Sequence, residues 1–288
     1  MSQSMTTTNH PVHFGLRASQ HHRSWAQIRE AFVAADEWGL ESAWVFDHFK
    51  PLYGDPSGPC LESWTLLAGL AAVTERIRLG PLVTGVTYRH PSMLATEVVT
   101  VDHISHGRVE LAIGAAWFED EHVELGIDFP PARERANRLE EAIRVIKLLM
   151  TEDNAIFEGD HYRLSGATFN PKPVQSPHPP VWIGAGGEKV MLPLVARVAD
   201  VWHNFGSVQE VTRKSRIIDQ HAEKADRDPS SIGRSTSLSI SEPWDEVRTR
   251  ANDLSDAGFS YLTVDWPGEG RERVDEFVTD VMPEIKAG

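Results

Sequence analysis

The chain has 288 residues, with 42 acidic against 28 basic side chains and a formal net charge of −14. Its length suits one large domain or two modest ones, and 24% charged with 41% hydrophobic residues is ordinary globular composition rather than that of a disordered chain. The negative charge has the wrong sign for a nucleic-acid binder or an anionic membrane surface.

The N-terminus is polar and lacks the apolar stretch of a secretory signal, so we expect a short disordered arm over residues 1–11. No segment approaches the roughly 20 apolar residues that a membrane helix needs. We therefore expect a soluble, cytoplasmic protein with one domain over residues 12–288, and neither a nucleic acid nor a membrane as partner.

From Val12 onward, short runs of β-branched, aromatic and aliphatic residues alternate with segments of helical period. The runs predict strands over residues 12–17, 42–46, 78–83, 109–113, 181–184, 200–204, 237–240 and 261–265. The segments between them predict helices over 25–38, 61–74, 91–104, 133–150, 189–198, 209–225, 244–254 and 271–285. Gly39 after the first helix and Pro91 at the start of the third are typical of helix ends.

Strict alternation of eight strands with eight helices predicts a parallel α/β sheet, and the count favours a single (β/α)8 TIM-like barrel. An open Rossmann-like sheet shows the same alternation, but no Gly-x-Gly-x-x-Gly follows the first strand. Residues 151–180 interrupt the pattern, with a hairpin predicted around Glu158-Gly159-Asp160. We expect this insertion region to be a lid, an oligomer element or a plain surface excursion.

In a barrel, the carboxyl ends of the strands carry the functional site. The second strand ends in Asp47-His48, and the fifth ends in a glycine-rich run, Gly184–Gly187. Three glycines let the backbone approach a ligand, and free N–H groups at the following helix suit a phosphate, although such a run is also common as a plain turn. Trp117, beyond the fourth strand, could form a wall against a planar ligand.

Several chemistries remain open for these residues. Asp47 and His48 suit acid–base catalysis or metal binding, or they simply pack at the rim; a metal site is disfavoured because no H-x-H or H-E-x-x-H spacing occurs. A serine hydrolase is disfavoured because no G-x-S-x-G elbow occurs. The lone Cys60 excludes an internal disulfide and a cysteine-based zinc cluster. It could be a nucleophile but is more often a packed small residue.

Taken in order, four stretches resemble the bacterial luciferase-like superfamily, and most closely its branch that uses coenzyme F-420, a deazaflavin. They are residues 31–49 (AFVAADEWGLESAWVFDHF), 62–86 (ESWTLLAGLAAVTERIRLGPLVTGV), 88–130, and 177–202 (PHPPVWIGAGGEKVMLPLVARVADVW). The combination is specific, whereas any single stretch is not.

The resemblance implies a TIM-like barrel with the cofactor lying across its carboxyl-terminal mouth. It places Asp47 and His48 beside the deazaflavin ring as the catalytic residues, and a non-proline cis peptide at Gly85-Val86 behind the ring. The other implied cofactor residues fall into two groups: Ala185, Gly186 and Gly187 around the phosphate, and Ala115, Ala116 and Asp120 along the remaining side.

Two departures from the family pattern affect the substrate. The F-420-dependent glucose-6-phosphate dehydrogenases carry a catalytic glutamate in the first loop, where this chain has His21, and a second one after strand four, where it has Trp117. Losing both carboxylates argues against sugar-phosphate oxidation. His21 and Trp117 are therefore expected to line the pocket of a different substrate.

The resemblance thus implies an F-420-dependent oxidoreductase of the luciferase-like class, acting on an unidentified small organic substrate with His48 handling a proton. An FMN-dependent monooxygenase that uses reduced flavin and oxygen is the main alternative. A metal-dependent barrel hydrolase and a non-catalytic flavin-binding barrel also stay open. We expect a homodimer, and a locally basic rim from Arg17, Lys50 or Arg89 to receive the anionic cofactor.

Overall fold

A computed structural model describes residues 11–266 and 271–287. The expected disordered arm lies outside these residues apart from Pro11 and stays a prediction. Nine strands form one sheet in which every neighbouring pair is parallel. They are β1 (His13–Arg17), β2 (Ser42–Val45), β3 (Arg78–Pro81), β4 (Thr84–Gly85), β5 (Leu111–Gly114), β8 (Val181–Gly184), β9 (Val201–His203), β10 (Gly233–Leu238) and β11 (Tyr261–Asp265), while β6 (Ala155–Glu158) and β7 (Arg163–Ala167) form a separate antiparallel pair.

The sheet closes on itself. Its strand order is β3-β2-β1-β11-β10-β9-β8-β5-β4, and a parallel bridge between Leu79 and Val109 joins β3 to the segment that enters β5. The predicted α/β TIM-like barrel is therefore confirmed. The third strand, predicted over 78–83, ends at Pro81, where the chain leaves the β2 register, and a separate strand that pairs with β5 begins at Thr84.

Helices surround the barrel, and the first shows why they begin where they do. Ser24 caps its N-terminus in a reciprocal pair of hydrogen bonds with Gln27. The helices are α1 (Trp25–Glu37), α2 (Ser63–Ala71), α3 (Pro91–Ile104), α4 (Glu119–Leu125), α5 (Ala132–Thr151), α6 (Met191–Val198), α7 (Val208–Lys224), α8 (Trp244–Asp256), α9 (Arg271–Glu276) and α10 (Met282–Ala287), with a 3-10 turn at Pro229–Ser231 and a π-helical turn, Phe277–Val281, between α9 and α10.

The barrel interior is packed with side chains and is not a pore. Trp44 and Trp182 meet edge to face, with ring centroids 4.7 Å apart, and Ala112, Leu82 and Val201 fill the space around them. A larger apolar layer lies between the sheet and the helices. The tryptophan layer supports the site, which lies at the carboxyl ends of the strands.

The insertion contains the predicted hairpin, now β6 and β7. Glu141 of α5 accepts the backbone N–H groups of residues 160–162. Asp102 of α3 accepts those of Val174 and Gln175, and the Gln175 amide donates to the Val109 carbonyl at the amino-terminal side of the barrel. Residues 151–180 are all described and none of them lines the cavity at the carboxyl ends of the strands, so the structure gives the lid hypothesis no support. The oligomer role stays a prediction.

Candidate active site

A cavity of about 840 Å³ opens at the carboxyl ends of the barrel strands, within the size range of cofactor and substrate sites. It brings together most of the residues expected from the sequence: His21, Asp47, His48, Gly85, Ala115, Ala116, Trp117, Ala185 and Gly186. Val86, Asp120 and Gly187 are not part of its described wall.

His48 lies on the cavity wall just after β2. Its Nδ1 is 3.0 Å from Oε2 of Glu121. Trp117 meets it edge to face at a centroid distance of 6.0 Å, and Tyr88 does so at 6.4 Å. One ring nitrogen is thus held from behind, while the ring itself stays at the cavity surface.

Glu121 is the acidic residue that sequence reasoning missed. It is fully buried, and it accepts hydrogen bonds from His48, from the Tyr88 hydroxyl at 2.5 Å and from the backbone of Phe49 at 2.7 Å. Burial favours the neutral carboxyl, but the hydrogen bonds from His48, Tyr88 and Phe49 outweigh it and lower the pKa of Glu121 to about 2. The side chain is therefore an anion at neutral pH.

Asp120 was expected along one side of the cofactor, but it is not part of the described cavity wall, so its contact with a cofactor stays a prediction. It is exposed on the outer side of α4, one residue before Glu121. Each residue of an α-helix turns the side chain by about 100°, so the neighbour of an outward residue can point inward. The helix α4 was not among the predicted elements, so the inward direction of Glu121 could not be predicted.

Asp47 is also buried at the cavity wall, but its oxygens are occupied. Arg89 donates to both of them at 2.7 and 3.1 Å, and Ser63 donates to one at 2.6 Å. Arg89 also pairs with Glu62 and lies 3.2 Å from Glu97. Burial raises the pKa of Glu97 to about 7 even though Arg89 acts in the opposite direction.

The back wall of the cavity is built around Val83. A Cβ atom placed on Gly184 would lie 2.9 Å from Val83 Cγ1, and one placed on Gly114 would lie 2.9 Å from Cγ2. The two glycines therefore leave the space that the Val83 side chain fills.

The non-proline cis peptide is Leu82-Val83, so the expected position at Gly85-Val86 is wrong. Gly85 pairs with Gly114, and the Val86 N–H donates to the Gly114 carbonyl at 3.0 Å, which extends the regular pairing of β4 with β5. Val86 is accordingly buried in the apolar layer under the helices. Gly85 remains at the cavity wall, while Val86 does not reach it.

The glycine-rich loop after β8 passes close to two polar side chains. A Cβ atom on Gly186 would lie 3.1 Å from Asn204 Oδ1 and 3.3 Å from Lys214 Nζ. Lys214 is buried and pairs with Glu210 at 2.7 Å. Gly187 is exposed at the outer end of the loop. The Gly186 backbone, the Asn204 side-chain amide and the Lys214 ammonium group therefore lie close together, and Gly186 and Asn204 also line the cavity.

Four buried polar atoms at the cavity have no hydrogen-bond partner among the described residues: Arg17 Nε, His21 Nε2, His203 Nε2 and Asn204 Nδ2. Buried polar groups are normally paired, so this cluster indicates a ligand with complementary groups. Burial lowers the pKa of His21 to about 4, and the nearby His48 adds to the shift. Burial lowers the pKa of His203 to about 3, with a smaller effect from Arg17. Both imidazoles are therefore neutral at neutral pH.

The mouth of the cavity is aromatic. Trp117, Tyr53 and Phe205 all line it, and they are 64%, 76% and 52% exposed. Exposed aromatic side chains around a cavity are suited to cover a planar ligand. Trp117 therefore lies where the sequence placed it.

Of the three cations expected at the rim, only Arg17 lines the cavity. Its guanidinium pairs with Asp265 and lies 4.9 Å from the Phe205 ring centroid. Arg89 is held by the carboxylates around Asp47, and Lys50 pairs with Glu124 at 2.7 Å. The expectations for Arg89 and Lys50 were wrong, because neither side chain lines the cavity: Arg89 is buried among carboxylates, and Lys50 pairs with an exposed glutamate.

The other chemistries considered from the sequence receive no further support. Within residues 11–266 and 271–287, no three His, Cys, Asp or Glu side chains are grouped to hold a metal ion. The Cys60 thiol donates to the His48 carbonyl, and burial raises its pKa to about 12, so it is a packed thiol. None of the described helices is both long enough and apolar enough to span a bilayer.

Residues 5–277 match the luciferase-like monooxygenase family. The chain therefore belongs to the luciferase-like monooxygenase family. The resemblance found in the sequence is confirmed, and so is the expectation that the protein is an enzyme of this class.

Named relatives use two different cofactors. The chain is 36% identical to an F-420-dependent glucose-6-phosphate dehydrogenase of Kineococcus radiotolerans over 186 residues, 64% of this chain and 54% of the relative. It thus spans about half of that relative's length. An enzyme with the same name from Amycolatopsis mediterranei is 29% identical over 95% of this chain and 98% of the relative. An FMNH(2)-dependent dimethylsulfone monooxygenase of Pseudomonas putida is 31% identical over 71% of this chain and 53% of the relative.

Solved structures share the fold. An F-420-dependent secondary alcohol dehydrogenase in complex with an F-420–acetone adduct superposes with a TM-score of 0.86, at 18% identity, over 96% of this chain and 99% of that one. The coenzyme F-420-dependent tetrahydromethanopterin reductase of Methanopyrus kandleri gives 0.83, at 18% identity, over 96% and 100%. At this identity the likeness establishes the barrel and nothing finer.

Proposed function

We propose that this protein is an F-420-dependent oxidoreductase that transfers a hydride between the deazaflavin and a small organic substrate. The observation that carries the proposal is the cavity at the barrel mouth. The glycine-rich loop at Gly186, where we propose that a phosphate binds, and the His48 ring border the same space.

The residues present fit such a cofactor. The glycine-rich loop, with the unpaired Asn204 amide and Lys214 beside it, has the donors that a phosphate needs. Val83, together with Ala115 and Ala116, provides apolar walls for a ring system. The unpaired atoms of Arg17, His21 and His203 can pair with polar ring edges. We propose that Gly186 and Gly187 hold the phosphate, with Asp47 and Gly85 beside the ring.

The deazaflavin, when bound, supplies the hydride chemistry. The protein orients the substrate, excludes water and moves the accompanying proton. His48 is the group for that proton, because its ring reaches the cavity and can both accept and donate. Asp47 is fully occupied by Arg89 and Ser63, so we assign it to positioning the loop after β2 and not to proton exchange.

The substrate side differs from a sugar-phosphate site. His21 is neutral, and Trp117 is an exposed apolar wall, so neither supplies the carboxylate expected in the glucose-6-phosphate dehydrogenases. We propose a substrate other than a sugar phosphate. An FMN-dependent monooxygenase is the second candidate, supported by the Pseudomonas relative.

A substrate screen tests the proposal. Purified protein is mixed with oxidised F-420 and a panel of alcohols, and with reduced F-420 and a panel of aldehydes, ketones and enones, while the deazaflavin absorbance is followed. We expect F-420-dependent turnover that falls by about a hundredfold or more in His48→Gln, since a positioned acid–base group contributes about 10²–10⁴-fold. His221→Gln, on the outer helix α7, is the matched control. Oxygen consumption with reduced FMN, and no turnover with F-420, would instead establish the monooxygenase.

Two further proposals concern the location and the oligomeric state of the protein. We propose that the protein acts in the cytoplasm and that it forms a homodimer. Size-exclusion chromatography with light scattering measures the second directly.

A further inference from the structure

The two carboxylate oxygens of Glu121 have different partners. Oε1 accepts the backbone N–H groups of Phe49 at 2.7 Å and Lys50 at 3.1 Å. Oε2 lies 3.0 Å from His48 Nδ1 and accepts the Tyr88 hydroxyl at 2.5 Å. All of these groups are donors, and the side chain is fully buried. The carboxylate is thus fixed in one orientation directly behind the histidine.

We propose that Glu121 is a positioning residue that holds His48 as the Nδ1–H tautomer, so that the lone pair of Nε2 faces the cavity. An ionised carboxylate can only accept hydrogen bonds, so the Nδ1 atom facing it must carry the proton. His48 Nε2 makes no hydrogen bond with any residue that the structure describes. The consequence for catalysis rests on the function proposed above, whereas the tautomer itself does not.

The Nδ1–H tautomer allows His48 Nε2 to exchange a proton with the substrate in both directions of the reaction. When a substrate hydroxyl is oxidised, its O–H proton passes to Nε2, while the carbon loses its hydrogen with the bonding electron pair as a hydride that passes to the oxidised deazaflavin of the proposed function. The imidazolium that forms lies against the Glu121 anion, which stabilises it. In the reducing direction, the carbonyl carbon receives a hydride from the reduced deazaflavin, the Nε2–H bond of the imidazolium breaks, and its proton goes to the substrate oxygen. A histidine with the opposite tautomer has no lone pair at Nε2 with which to begin the oxidation.

Other ionisable groups near His48 do not compete for this role. Burial raises the pKa of Tyr88 and of Cys60, so both stay neutral in the physiological range. His21, on the first loop, is neutral because its pKa is lowered to about 4. Asp47 is paired with Arg89. Glu121 is therefore the anion that directly contacts the imidazole.

The substitution Glu121→Gln has a specific expected effect, because backbone N–H groups fix the orientation of the new side-chain amide. The N–H groups of Phe49 and Lys50 require the glutamine oxygen at the Oε1 position. The glutamine NH2 then occupies the Oε2 position and faces Nδ1 of His48 as a donor. The histidine must respond by moving its proton to Nε2. The variant keeps the shape and nearly the volume of the native side chain.

The test is the ¹⁵N spectrum of the histidine side chains in the cofactor-free protein, recorded at a pH where His48 is neutral. His48→Gln identifies the signal by its absence. We expect the Nδ1–H tautomer in the wild-type protein and a change to Nε2–H in Glu121→Gln. Glu119→Gln, the same change at an exposed position of the same helix, should leave the tautomer as in the wild-type protein.

Two results would overturn the proposal. The first is a wild-type His48 in the Nε2–H form, which can be observed even if Glu121→Gln fails to fold. The second is a folded Glu121→Gln whose tautomer is unchanged. Neither measurement uses the cofactor, so a failure of F-420 binding alone would remove the proposed function and leave the tautomer assignment standing.

Discussion

The Val83 side chain fills the space between Gly114 and Gly184 in the back wall of the cavity. We therefore expect a methyl group added at either glycine to destabilise the protein. In Gly184→Ala, the new methyl group would lie 2.9 and 3.1 Å from the two Cγ atoms of Val83 and 3.6 Å from its Cβ. Separations below 3 Å between carbon atoms require something to move. The three nearest atoms all belong to one side chain, so the strain is concentrated at Val83.

The expected cost is about 1–3 kcal/mol, as for overpacking in other protein interiors. A glycine-to-alanine change at a compatible position would instead stabilise by about 0.4–1 kcal/mol, because it restricts the unfolded chain. A decrease in the free energy of unfolding therefore indicates overpacking at Val83, whereas an increase indicates that the new methyl group fits without strain. For a chain somewhat larger than 250 residues, each kcal/mol corresponds to a change in Tm of about 2–4 °C or slightly less.

The assay is urea unfolding of a double-mutant cycle with Val83→Ala. In the Val83→Ala background, Gly184→Ala should cost less than about 0.5 kcal/mol, the scatter expected of independent sites, because the two close Cγ atoms are gone and the remaining Cβ lies at an ordinary contact distance of 3.6 Å. Gly114→Ala should keep a residual cost in that background, since the Gly184 carbonyl oxygen also lies 3.3 Å from its new methyl group. Gly187→Ala is the control, because its Cβ meets only Met191 at an ordinary 3.5 Å.

A Gly184→Ala variant as stable as the wild type would refute this account of the wall. So would an equal cost with and without the Val83 side chain.

Three further predictions concern separate parts of the molecule. Burial raises the pKa of Glu97 to about 7 from its ordinary 4.5, so ionisation of this carboxyl group destabilises the folded protein as the pH rises from 4.5 through 7. Glu97→Gln should therefore raise Tm at pH 8 by the equivalent of about 1 kcal/mol and leave Tm unchanged at pH 4. Arg108 donates five hydrogen bonds to groups at the α2–β3 turn and the end of α3, so Arg108→Met should cost about 2–4 kcal/mol in urea unfolding, against almost nothing for the exposed Arg133→Met. Gly186→Ala places a methyl group in the proposed phosphate corner and should weaken F-420 binding by about tenfold or more with little change in Tm; unchanged affinity would place the phosphate elsewhere.

Local patterning was sufficient to predict the barrel. Period-two and period-3.6 segments located β8 and β11 to the residue and α3 likewise. The seventh strand was displaced: it was expected at 237–240 and lies at Gly233–Leu238. Its first residues are polar because Arg234 points outward to Ser215 and Asp219, and such a strand has no apolar signal of its own.

The candidate site residues at strand ends were predictable from the sequence. Those that depend on a helix missed in the sequence, or on contacts between distant residues, were not. Asp47, His48 and Gly186 needed only the rule that barrel sites lie at carboxyl ends. Finding Glu121 required α4, a seven-residue acidic helix that lacks the repeated apolar positions by which a helix is recognised. The partners that remove Arg89 from the rim come from residues far apart in the chain, which sequence spacing cannot reveal.

The most direct test of the central claim is an equilibrium titration of the purified protein with F-420 and with FMN, each followed by cofactor fluorescence. The account predicts a micromolar Kd for F-420, about −8 kcal/mol of binding free energy, and FMN binding weaker by tenfold or more. Micromolar binding of FMN with no binding of F-420 would contradict it.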